Sequence, residues 1–180
     1  QAWGTTDHLT FNYVGWTLSS EWFCYLAFPL VVIAFRFGGN WGIAALGLLC
    51  LGALEIASSS GLVPDGHWLQ SLTWGAFRAF VDFTAGALIA RLVTGSSWKL
   101  SRHSPAWIVF VISIAAMLAQ ANSYLVFLLL MLAIYLAGLA ELNNPNGSRL
   151  LQITHPVGAV SFGIYILHPV MEVIFFSVIW

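Results

Sequence analysis

Residues 16–37 read WTLSSEWFCYLAFPLVVIAFRF, and the contrast inside this stretch decides the fold. Between Trp22 and Phe35 the only ionisable side chains are Cys24 and Tyr25. Such a run, with its flanks, has the roughly 20 residues that a membrane-spanning helix needs. Glu21 stands at its mouth, behind the hydroxyls of Thr17, Ser19 and Ser20, where water gives way to hydrocarbon. A carboxylate at that depth costs up to a few kcal/mol and is kept where it does something.

Composition extends this expectation to the whole chain. It is 59% hydrophobic and 7% charged with a mean hydropathy of +0.86, whereas soluble domains run about 45–50% apolar and about 25% charged. The lipid bilayer is therefore the expected surrounding. A net charge of −1 with six Lys+Arg offers no basic surface, and no glycine-rich phosphate loop is present, so nucleic-acid binding is excluded. Cys24 and Cys50 lie within apolar segments, which argues against a disulfide framework and against a metal site. The opening QAWGTTDHLTFNYVG has neither an initiator Met nor a basic and then apolar leader, so the chain reads as truncated and not as beginning with a signal peptide.

Six apolar segments set the expected fold class: an all-α, polytopic transmembrane helix bundle of one domain, residues 1–180, with about six spans. They cover 16–37, 41–59, 72–93, 107–121, 123–140 and 157–179. The fourth and fifth are short, and a turn around Gln120-Ala121-Asn122-Ser123 favours a hairpin over one long helix of about 50 Å. Tryptophans 16, 41, 68, 74, 98, 107 and 180 fall near segment ends, as in an aromatic belt. Gly38-Gly39-Asn40, Pro64-Asp65-Gly66 and Asn143-Asn144-Pro145-Asn146-Gly147 supply the turns. If the segments alternate, Arg36, Arg91, Lys99, Arg102 and Arg149 share one side, which the positive-inside rule makes cytoplasmic, leaving Glu21 near the outer surface.

Polar residues within the spans group by helical spacing. Arg78 and Asp82 are four apart and can pair, either as a neutralised lock between helices or with Arg78 as an anion clamp. Ser161, Tyr165, His168 and Glu172 form one stripe down an apolar helix. Glu172 can reach back to His168 and raise its basicity for general-base work, or the two can satisfy each other in packing; spacing leaves both open. Glu55 reads as an interfacial residue, and His8, His67, His103 and His155 have no ligand spacing. Gly75 and Ala79, like Gly86 and Ala90, make a small-residue packing face.

Three ordered blocks then carry a resemblance. GWTLSSEWFCYLAFP at 15–29, RAFVDFTAGALIAR at 78–91 and SFGIYILHP at 161–169 resemble, in order and spacing, motifs of the acyltransferase-3 family of integral membrane O-acyltransferases. Thr17 stands where the family has Ser, and Phe162 where Tyr is common. The family domain is much longer than this chain. Its first span, with a catalytic His, and its Arg-x-x-Arg loop have no counterpart here, so the chain resembles the C-terminal half and is expected to be inactive alone.

The resemblance implies transfer of an acyl group, often acetyl, from acyl-CoA to a hydroxyl of a cell-surface glycan or similar acceptor, at a bacterial inner membrane. Acyl-CoA is then a co-substrate, and no bound cofactor is implied. Motif by motif, it points to Glu21, Arg78 and His168 as catalytic; the polar residues grouped with them, Ser19, Ser20, Tyr25, Asp82, Tyr165 and Glu172, are the expected substrate-binding positions. The family is drawn with cytoplasmic ends, which puts the start of this chain opposite to where the loop charges put it. A transporter or exporter of a glycan or lipid-linked substrate is the alternative, because intramembrane charges also line pathways.

Overall fold

The computed structural model describes residues 2–5, 14–63, 67–69 and 73–143, together with Val160, Ser161, Tyr165, Leu167, Pro169 and Ile174. Among these residues the protein is all-α, with no strand, and its helices are α1 (Gly15–Ser59), α2 (Gly75–Thr94), α3 (Ser104–Leu118) and α4 (Ser123–Leu142). The six separately described positions from Val160 onward are also helical. Two compact units result, Gln1–Thr84 with Leu150–Trp180, and Ala85–Arg149.

In the first unit, α1 is two arms joined at Gly39, whose φ of 57° and ψ of −140° interrupt the helix. That conformation is essentially restricted to glycine. In an unbroken helix Gly42 would stand about 12 Å along the axis from Ala34. Instead, a Cβ at Gly42 would overlap the Ala34 carbonyl oxygen, so the chain doubles back. The turn expected at Gly38-Gly39-Asn40 is thus made by one residue, without a separate loop.

Both arms pack on α2. Trp16 lies over Gly75, Phe23 meets Phe77 edge-on with ring centres 5.1 Å apart, and Phe28 meets Phe83 at 6.0 Å, so the first arm runs parallel to α2. The second arm runs the other way: Gly47 approaches Thr84, and Leu54, seven residues on, packs against Val81. Leu54, Val63, Trp68 and Val81 form the buried core of this unit. The second arm ends in a Schellman motif, with Gly61 at φ 76° and the Leu62 N–H bonded to the Ala57 carbonyl.

The second unit holds the end of α2 and the α3–α4 hairpin. Pro105 occupies the first turn of α3, where a missing N–H costs nothing. Gln120, at φ 52°, turns the chain, and Asn122 caps α4 by accepting from the Tyr124 N–H at 2.9 Å. Separate helices here agree with the expected hairpin. The Val93 side chain closes on Gly138 so tightly that a Cβ there would lie 3.0 Å from it.

Two helices among the described residues, α1 and α4, are long and apolar enough to cross a membrane. α4, at 20 residues, is about 30 Å long, the thickness of the hydrocarbon core. α2 carries Arg78, Asp82 and Arg91, and α3 has 15 residues, so neither passes the same test. The last expected span, 157–179, lies mainly outside the described residues. Trp68 corrects the belt expectation, being buried in the core. Trp16 and Trp74, at the starts of α1 and α2, are half-buried, and Trp41, Trp98 and Trp107 are exposed. The small-residue face is used at Gly75, under Trp16, while nothing lies within 4 Å of a Cβ at Gly86.

Candidate functional site

The first arm of α1 begins with its hydroxyls turned inward. Thr17 Oγ1 donates to the Val14 carbonyl at 2.9 Å, and the buried Ser20 donates to that of Trp16 at 2.8 Å. Ser20 therefore serves its own helix. Ser19 is half-buried, and its carbonyl accepts the Trp3 indole N–H at 3.0 Å, with the Trp3 ring set edge-on to Phe23. Residues 2–4 in turn bond along the start of α2, Gly4 N–H to the Thr73 carbonyl and Ala76 N–H to the Ala2 carbonyl. This strap fixes the mouth of α1 against the mouth of α2.

Glu21 follows on the exposed face, and no described residue hydrogen-bonds its carboxylate. Tyr25, one turn on along that face, is 63% exposed. Cys24 is buried on the inner side, within electrostatic reach of both Glu21 and Asp82, and Arg78 is within reach of Asp82. The first arm and α2 thus bring Glu21, Arg78 and Asp82 to one end of the unit, with the Phe23–Phe77 contact beside them.

Arg78 and Asp82 do not form the expected ion pair. The Arg78 guanidinium instead donates to the Leu69 carbonyl at 2.6 Å, while Asp82 is exposed. A carbonyl in the connection before α2 needs a donor, and a guanidinium has five N–H groups, so this bond still leaves Arg78 donors for another acceptor.

Leu69 belongs to a node that the sequence did not reveal. Its N–H is accepted by His67 Nδ1 at 3.2 Å, which leaves Nε2 to carry the proton of the neutral ring. The His67 ring stacks on Trp68, and the Trp68 indole N–H donates to Glu55 Oε1 at 2.8 Å. Glu55, expected only as an interfacial residue, therefore holds the core tryptophan. The available signal was Trp68 itself, because a buried indole N–H needs an acceptor.

Tyr165 is exposed on a helical segment with Ser161, four residues before it, and Pro169 is helical and buried. His168 and Glu172 lie outside the described residues. No cluster of three or more His, Cys, Asp or Glu that suits a metal occurs among the described residues.

Compared with known families, the chain matches the model described as an acyltransferase domain over residues 1–180. No curated protein and no solved structure matches it.

Proposed function

The chain belongs to the acyltransferase-3 family, and from that premise we propose that it moves an acyl group from acyl-CoA to a hydroxyl of a cell-surface glycan or similar acceptor, in a bacterial inner membrane. It corresponds in this proposal to the C-terminal half of the family domain, the other half supplying the principal base. The observation that carries the proposal is the convergence of two motif blocks, with Glu21 on α1 and Arg78 on α2 at the same end of one helical unit.

The chemistry assigns each group a task. The acceptor oxygen attacks the thioester carbonyl, its proton passes to the base, and the tetrahedral oxyanion collapses to an ester with loss of CoA thiol. An oxyanion needs a preorganised cation or N–H donor, and Arg78 has donors beyond the one given to Leu69. Glu21 lies on an exposed face of α1 and orients the base or the acceptor hydroxyl. His168 lines the acceptor path, and Tyr165, Glu172, Ser19, Tyr25 and Asp82 complete the proposed binding surface, from which the buried Ser20, bonded to its own helix, drops out.

Glu21→Gln and His168→Ala, made separately in the intact protein, test this assignment by mass spectrometry of acceptor O-acylation. Loss in each supports the roles given. Full acylation in both removes these residues from the mechanism.

A further inference from the structure

The α3–α4 hairpin contains a groove that the proposed acyl transfer does not use. Its volume is about 290 Å³, close to the lower limit of small-molecule pockets, roughly 300 Å³. Ala106, Ala133 and Ala137 leave the space, and Trp107 and Phe110, edge-on to each other with ring centres 5.9 Å apart, wall it. Apart from His103 at one end, every side chain lining it is apolar. A slot of this section takes one slender apolar chain and gives a polar ligand nothing to bond.

The two ends differ in chemistry. At the His103 end, His103 Nε2 lies 3.2 Å from Glu141 Oε2, and Arg102 is the next residue back along the chain. Arg102 and Lys99 are exposed and form no ion pair with any described residue. In residues 85–143 the cations Arg91, Lys99 and Arg102 face the single acid Glu141, so this end carries net positive charge. Trp98 is 73% exposed and Trp107 55%, and both stand near the start of α3, as interfacial tryptophans do at helix ends. An apolar slot that ends in cations is complementary to a lipid with a negative headgroup.

We propose that this groove binds one acyl chain of an acidic phospholipid, with the lipid phosphate held by Arg102, the cation beside the groove's His103 end. The site is independent of the acyl-transfer assignment, since its residues all lie on the hairpin and its lead-in.

The test uses the intact protein, exchanged with vesicles of dioleoyl phosphatidylglycerol or dioleoyl phosphatidylcholine and then examined by native mass spectrometry. One retained phosphatidylglycerol per protein, in at least tenfold preference to phosphatidylcholine, is expected. Ala137→Phe, which fills the groove from a half-buried position, should cut that retention at least tenfold. Arg102→Gln, at an exposed position that leaves folding alone, should reduce the preference to near unity. Equal retention of the two lipids by the unaltered protein overturns the proposal. So does wild-type retention in both variants, the outcome expected if a protein segment covers the groove.

Discussion

Arg78 donates to the carbonyl of Leu69 at 2.6 Å and leaves Asp82, four residues further along α2, without a salt bridge to it. The guanidinium therefore anchors the connection between α1 and α2, and it has further N–H groups with which to meet substrate charge. These two duties separate by substitution. Arg78→Lys keeps a donor of nearly the reach that Leu69 needs and should cost under about 1 kcal/mol of stability, yet it lacks the guanidinium's further N–H groups and should lower acyl transfer by about 10²–10³. Arg78→Ala should lose activity to the same degree and also about 1.5–3 kcal/mol, the worth of a charge-assisted bond. Thermal melting in detergent beside an acylation assay reads both.

Glu55 and Trp68 form a second tie, at 2.8 Å, between the end of α1 and the core. Glu55→Ala strands a buried indole N–H and should destabilise by about 1–3 kcal/mol. Glu55→Gln retains an acceptor and should be nearly neutral. In a double-mutant cycle, adding Glu55→Ala to Trp68→Phe should cost little beyond Trp68→Phe alone, because the donor has already gone.

Gly39 is the hinge on which the two arms of α1 reverse. Gly39→Ala places a Cβ at φ 57°, ψ −140° and should cost about 1–3 kcal/mol. Gly38→Ala, where nothing lies within 4 Å and no positive φ is needed, should change stability by less than about 1 kcal/mol. Equal effects at the two positions would remove Gly39 from this role.

His103 and Glu141 make a contact of 3.2 Å with side chains 27% and 48% exposed. Exposed pairs are worth about 0–1 kcal/mol, so Glu141→Gln should alter the melting temperature by no more than a few degrees. The helix hairpin is instead held by the packing of α3 against α4.

Much of the helical architecture was legible because apolar runs and glycine turns are local signals. Helix α2 at 75–94 overlaps the segment expected at 72–93, and the cap at Asn122 marks the turn expected between α3 and α4. Two relationships were not legible, for one physical reason: each joins residues whose partner is fixed only by folding. Arg78 has Asp82 on its own face by spacing, but the chain returning from α1 brings the Leu69 carbonyl closer. Trp68 has the composition of a belt residue and becomes core because Glu55 satisfies its indole. Ser20 differs from these: it has the place of a site hydroxyl, but its bond to the Trp16 carbonyl is the local i to i−4 pattern open to any helical serine. At the candidate site, the motif blocks identified Glu21 and Arg78, and folding adds their common end of the unit; the role of His168 rests on the motif alone.

The most direct measurement follows an acyl group labelled in its carbonyl carbon from acyl-CoA into the acceptor, with the intact protein in sealed vesicles. The account predicts label in the acceptor, released as the free acid by mild alkali as an O-ester requires, and a loss of about 10²-fold or more with Arg78→Ala. Label that never reaches the acceptor, or that resists alkali as an amide does, would contradict it.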